Sequence, residues 1–245
     1  AIDKVWNYYD AARRLRVTVA PDPDAGGSLV YRATRTTYDA DGNPTTIEQG
    51  SVVSPANCSA ANNFCASTMS VLAKSTLVYD GYGRKIRENI INIGSGQAEA
   101  VTQTTYDAAG RIECVATRMN AAVYGGLPPS ACTPSAAGSY GEDRIARTTY
   151  TAYGDPSVIQ TGYGTSLVRN ERTFTYLAPG QVATLKDATN NLTTYEYDGF
   201  NRLKKVRYPD AAIGVGTSST VDFEQYTYDA AGNRLTEQRR RCIAR

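Results

Sequence analysis

The sequence predicts an all-β fold built from tandem antiparallel β-hairpins. Three observations predict it. First, one phrase recurs along the chain: Tyr-Asp, two small or variable residues, then Gly-Arg or Gly-Asn. Second, tyrosine reaches 18 of 245 residues, while phenylalanine stands at 4 and tryptophan at 1. The aromatic content thus sits in rings with a polar end, which suits a half-buried sheet with one wet face. Third, threonines crowd the same tyrosines, as in TRTTYD, TQTTYD and LTTYEYD. Repetition of this kind argues for stacked similar units rather than one domain around one buried site.

The phrase reads YDADGN from Tyr38, YDGYGR from Tyr79, YDAAGR from Tyr106 and YDAAGN from Tyr228, with the variant YDGFNR from Tyr197. Looser copies start at Tyr9 (YDAARR), Tyr150 (YTAYGD) and Tyr176 (YLAPGQ). The eight starts are spaced by 29, 41, 27, 44, 26, 21 and 31 residues, and residues 1–245 read as a single array.

One unit, Thr104 to Val115, gives the physical grammar. Thr104 and Tyr106 alternate with Thr105, a period-two strand. Asp107 ends the strand and can accept from the N–H groups of the next turn. Gly110 falls where a left-handed residue is needed, as in a type I turn with a glycine bulge. Arg111 starts the return strand, and Ile112 is expected on the apolar face. The same reading assigns turns to Tyr38, Asp39 and Gly42, to Tyr79, Asp80 and Gly83, and to Tyr228, Asp229 and Gly232. In the turn of Tyr197 and Asp198, Asn201 replaces glycine and tolerates the same geometry. Pro44 is expected to interrupt the strand after Gly42. The Tyr9 copy carries Arg13 at the glycine position, so its turn is expected to differ. The copies at Tyr150 and Tyr176 keep Gly154 and Gly180 but set Thr151 and Leu177 where the aspartate stands. A further turn is expected from Asp187 to Asn190.

Between turns the chain reads as extended alternation. Only Ala60 to Lys74 admits a short helix or coil. Pro21 to Gly27, Tyr124 to Gly141 and Tyr208 to Thr220 read as edge loops, rich in turn residues and without periodicity.

At this point the chain resembles the RHS-repeat proteins, whose YD repeats appear in bacterial RHS elements, in the B and C components of insecticidal Tc toxins, and in animal teneurins. The resemblance runs from Tyr9 to Asn233. It implies hairpins joined in one continuous spiralling sheet that forms part of a shell or tube. In bacteria such a shell often encloses a C-terminal toxic domain; in teneurins it belongs to an extracellular adhesion protein. The family's DPxxGR…DP cleavage arrangement is absent, with only PDPD at Pro21 to Asp24, and no non-repetitive domain follows Asn233. Neither self-cleavage nor toxic activity is therefore carried over to these residues. The chain is expected to be a segment of a longer protein.

Five cysteines complete the picture. Cys58 with Cys65, and Cys114 with Cys132, lie in the two longest inter-repeat spacings, and each pair is expected to close its excursion as a disulfide. Cys242 is left over. Such bridges point to an oxidising compartment, and together with the resemblance they imply a secreted or cell-surface bacterial protein.

Composition excludes several functions. With no histidine, the Ser-His-Asp, Cys-His and common metal-hydrolase arrangements fall away. No enzyme activity, metal or cofactor is expected. Net charge is +2, and the densest basic stretches are Arg239, Arg240, Arg241 and Arg245 and, earlier, Arg13, Arg14 and Arg16. They form no continuous footprint, so no nucleic-acid partner is expected. No run of 18 apolar residues predicts a transmembrane segment, and the opening residues lack the pattern of a signal peptide. GYGTS from Gly162 and GVGTSS from Gly214 lack the lysine of a phosphate loop and read as hairpin connections.

The recurrent aspartates are accounted for by capping, and the tyrosines by cross-strand stacking. Three functions follow in order: a wall segment of a toxin-enclosing shell, an adhesive or filament-forming surface protein, and a carbohydrate-binding wall. The partners expected are the remaining repeats of the same or a longer chain, further copies at open sheet edges, an enclosed toxin domain, or a glycan.

Overall fold

A computed structural model describes residues 4–21, 24 and 29–240. Most of the Pro21 to Gly27 loop, Arg241, Cys242 and Arg245 lie outside these residues. The chain divides into two compact units. In both, the strands follow chain order, each antiparallel to its neighbour.

The first unit takes residues up to Thr105 and Val115–Asp143. It holds β1 (Trp6–Tyr9), β2 (Leu15–Val19), β3 (Tyr31–Tyr38), β4 (Pro44–Val52), β5 (Ser70–Tyr79), β6 (Lys85–Ile91), nearly all of β7 (Ala98–Tyr106) and the later part of β8 (Ile112–Arg118). Val17 and Val19 alternate with polar residues on β2, so both point to one face. There they join Ala33, Val52, Cys58, Cys65 and Met69 in a buried cluster, flanked by Trp6, Tyr8, Tyr31, Phe64 and Val71. The lid on this face is the connection from β4 to β5. It holds short 3-10 helices at Pro55–Cys58 and Ala60–Cys65 and is closed by the Cys58–Cys65 disulfide. Tyr8 pins the lid by donating its hydroxyl to the Pro55 carbonyl at 2.7 Å. Gly50 sits at a bulge opposite β5, where a Cβ would stand 2.0 Å from the Ser70 carbonyl oxygen.

The second unit takes Tyr106–Cys114 and the chain from Arg144 onward. It holds β9 (Arg144–Tyr150), β10 (Pro156–Thr161), β11 (Arg169–Ala178), β12 (Gln181–Asp187), β13 (Leu192–Tyr197), β14 (Leu203–Pro209), β15 (Ser218–Tyr228) and β16 (Arg234–Arg240). Its neighbouring strands are joined by polar cross-strand pairs, such as Thr175 with Thr184 and Thr227 with Thr236.

Several expectations are corrected. Pro44 does not interrupt a strand: it is the first residue of β4, paired opposite Tyr38, where a missing N–H is tolerated. The short helix or coil expected within Ala60 to Lys74 is a 3-10 helix at Ala60–Cys65 followed by coil, but it ends earlier than expected, since β5 starts at Ser70. The loop expected from Tyr208 to Thr220 shortens, since Tyr208 and Pro209 belong to β14 and β15 starts at Ser218. Ile112 remains 45% exposed rather than buried on an apolar face.

Candidate functional site: the line of hairpin turns

The repeated phrase folds into one turn used over and over. At Asp107 the backbone N–H donates to the Arg111 carbonyl at 2.8 Å, and the Gly110 N–H donates to the Asp107 carbonyl at 2.9 Å. The Arg111 N–H donates to one carboxylate oxygen at 2.9 Å, and its Nε to the other at 2.8 Å. Gly110 has φ of 79°, a left-handed conformation that costs an ordinary residue energy. The arginine side chain, then its N–H, holds the Asp107 carboxyl below the usual aspartate range. A carboxylate spent on its own turn in this way is poorly placed to act as an acid or base.

Asp39, Asp80, Asp198 and Asp229 cap their turns alike, with Asn43, Arg84, Arg202 and Asn233 in the place of Arg111. Gly42, Gly83, Asn201 and Gly232 all take positive φ. Asp187 caps the further turn, with Asn190 at φ 68°.

The Tyr9 copy corrects the sequence reading. Arg13 takes φ of 62°, and Asp10 caps Arg14 as the other aspartates do. The hydrogen bonds of Asp10 and Arg14 outweigh the modest cost of a left-handed arginine. At Tyr150 the Thr151 hydroxyl accepts from the Asp155 N–H at 3.2 Å, a weaker cap of the same form. At Tyr176 the cap comes from outside: Asp155 of the preceding hairpin accepts from the Gly180 N–H at 3.1 and 3.0 Å.

The tyrosine does more than end a strand. Its hydroxyl crosses to the preceding hairpin and donates to the carbonyl of the residue just after that hairpin's turn. Tyr38 reaches Leu15 at 2.7 Å, Tyr150 reaches Ile112 at 2.8 Å, Tyr176 reaches Pro156 at 2.7 Å, Tyr197 reaches Val182 at 2.9 Å and Tyr228 reaches Leu203 at 2.7 Å. The arginine of the preceding turn stacks on the same ring. Arg14 lies 5.0 Å from the Tyr38 centroid, Arg111 4.4 Å from Tyr150 and Arg202 4.6 Å from Tyr228. The phrase is therefore both a turn and a clamp between successive hairpins. The sequence reading found the turn and missed the clamp, although the pairing of an aromatic start with a basic end was visible in it.

A second cluster was also missed. Arg118 is wholly buried and donates to Asp143 at 2.7 Å, to the Thr133 carbonyl at 2.8 Å and to Gln103 at 2.6 Å. Burial works to raise the Asp143 pKa, but hydrogen bonds from the Ser135 and Met119 N–H groups and from Arg118 outweigh it and leave the carboxyl low. The pair anchors the Tyr124 to Gly141 loop. Cys114 and Cys132 are both disulfide-bonded. Aromatic rings also stand out at the fourth position of three turns: Tyr82 is 86% exposed, Tyr153 79% and Phe200 80%. Among the described residues no group of three or more His, Cys, Asp or Glu side chains could hold a metal, and no helix is long and apolar enough to cross a membrane.

This is an all-β protein of tandem, clamped hairpins. Residues 176–213, which carry the turns at Tyr176 and Tyr197, match the family model described as RHS Repeat. No curated protein matches it significantly. Among solved structures it is similar to the crystal structure of TcdB2-TccC3-TEV, at 13% identity and a TM-score of 0.50, over 96% of this chain and 11% of that one. The crystal structure of TcdB2-TccC3 is matched at the same identity and score, over 96% of this chain and 12% of that one. The likeness establishes the fold, and the chain spans little more than a tenth of the chains it matches.

Proposed function

We propose that the chain is a wall segment of a larger RHS shell, structural and non-catalytic, whose parent protein encloses a toxic domain. The observation that carries this reading is the clamp. The polar side chains of the repeated phrase are occupied in joining one hairpin to the next, which is work proper to a wall. The RHS repeat match and the fold shared with TcdB2-TccC3 support it. The remaining repeats of the longer chain would continue the array from β1 and β16, the first and last strands in sheet order. A secreted or cell-surface bacterial location belongs to the same reading, and the Cys58–Cys65 disulfide supports it.

Electron microscopy of the full-length protein that contains this chain tests the proposal. Hollow closed particles with a protease-protected internal domain are expected. Regular fibres would overturn it in favour of a filament-forming surface protein.

A further inference from the structure

The residue that ends the repeated phrase is Arg14, Asn43, Arg84, Arg111, Arg202 or Asn233 in six of the eight turns. Where it is Arg14, Arg111 or Arg202, the guanidinium fills the slot between two turns and lies on the next tyrosine ring. The turn at Tyr150 breaks this rule by ending in a carboxylate, Asp155. Among the described residues no lysine or arginine forms an ion pair with Asp155, and no cation stacks on the ring it faces, Tyr176. The slot is open there as a cavity of about 270 Å³, lined by Thr151, Tyr153, Asp155, Phe174, Tyr176 and Leu177 among others. The next slot ends in Gln181 before Tyr197, and it too opens, to about 320 Å³. Loss of the arginine thus leaves room where its side chain would lie.

We propose that the slot between Asp155 and Tyr176 binds the guanidinium of an arginine side chain on a partner polypeptide. The molecule supplies the template, since its own arginines occupy equivalent slots three times over. An incoming guanidinium would stack on the Tyr176 face and pair with the Asp155 carboxylate, which the Gly180 N–H already orients. Phe174, whose ring stacks against Tyr176 at 6.4 Å, gives the stem of the side chain an apolar wall. The Tyr176 phenol is pushed up by burial and then by the Asp155 charge, consistent with a slot that carries negative potential and favours a cation. Arginine fits better than lysine because its planar fork can stack and pair at once.

Calorimetric titration with a Gly/Ser peptide carrying one arginine tests this, against the same peptide with citrulline. Tighter binding of the arginine peptide, by about tenfold or more, is expected. Asp155→Asn should weaken it about tenfold. Asp155→Arg restores the residue type that ends the turns at Tyr9, Tyr106 and Tyr197, so it should fold and fill the slot from within, abolishing binding. The proposal fails if the unaltered protein does not prefer arginine to citrulline. It fails equally if the Asp155→Arg protein, folded by circular dichroism, binds the arginine peptide as well as the unaltered one does.

Discussion

The two units use the same turns but are stabilised differently. In the first, Val17, Val19, Ala33, Val52, Cys58, Cys65 and Met69 form a buried cluster beneath a connection that folds back over the sheet. In the second, the buried aliphatics among the described residues are Ile145 and Val206. Strand β16 is exposed along its whole length. Strand residues therefore become a core where a connection between hairpins folds back and covers them. The turns set register and spacing in both units, and the covered faces supply most of the hydrophobic stability in one of them.

The largest effect that would break this contrast is at Arg118. Replacing it with Met leaves Asp143 buried without its cation and should cost about 3–5 kcal/mol. Urea denaturation should show the loss, and hydrogen exchange should place it in the first unit. Next comes Val19→Ala, which opens a void in the cluster and should cost about 2 kcal/mol. Its counterpart Leu235→Ala, on a residue 64% exposed, should change stability by less than about 0.5 kcal/mol. Equal losses at the two sites would erase the difference between the units.

Removal of one clamp is a smaller change. Tyr228→Phe keeps the ring and its stack with Arg202 but leaves the Leu203 carbonyl without its donor, and should cost about 1 kcal/mol. Faster exchange in β14 and β15, with the first unit untouched, is the expected signature. The smallest effect per residue is the response to acid. The folded carboxyls of Asp39, Asp80, Asp107, Asp198 and Asp229 titrate below their ordinary value of 3.8, held down chiefly by hydrogen bonds from the residue that ends each turn. Their contribution is present above 3.8 and is lost as the pH falls through the lowered folded values. Urea midpoints should hold near neutrality and drop in both units below that pH, with an additional drop in the first from Asp143. Midpoints that rise on acidification would contradict the sign.

The hairpins were legible in the sequence because their determinants are local. Asp107, Gly110 and Arg111 specify a turn within a few residues, and the alternation of threonine with tyrosine specifies the strands beside it. The turn at Arg13 departs from what its sequence suggests because the hydrogen bonds of Asp10 and Arg14 outrank the side chain's own backbone propensity. The clamp was not legible as geometry, since Tyr228 and Leu203 are far apart in sequence and meet only through pairing of β14 with β15. The Arg118–Asp143 pair was hidden for the same reason. Nothing near either residue marks it, and only the folding of the intervening loop brings them together.

The clamps lie along one margin of each unit, where a strand turns directly into its partner. The variable spacings between phrases arise at the other margin, in connections such as those from β4 to β5 and from β14 to β15. Within each unit the turns are stitched hairpin to hairpin, while the opposite margin carries connections of varied length, each held by contacts of its own where it folds back, as at Tyr8–Pro55 and Arg118–Asp143. New segments can therefore be inserted between hairpins without disturbing the stitching, and such segments are where related walls should differ most from one another.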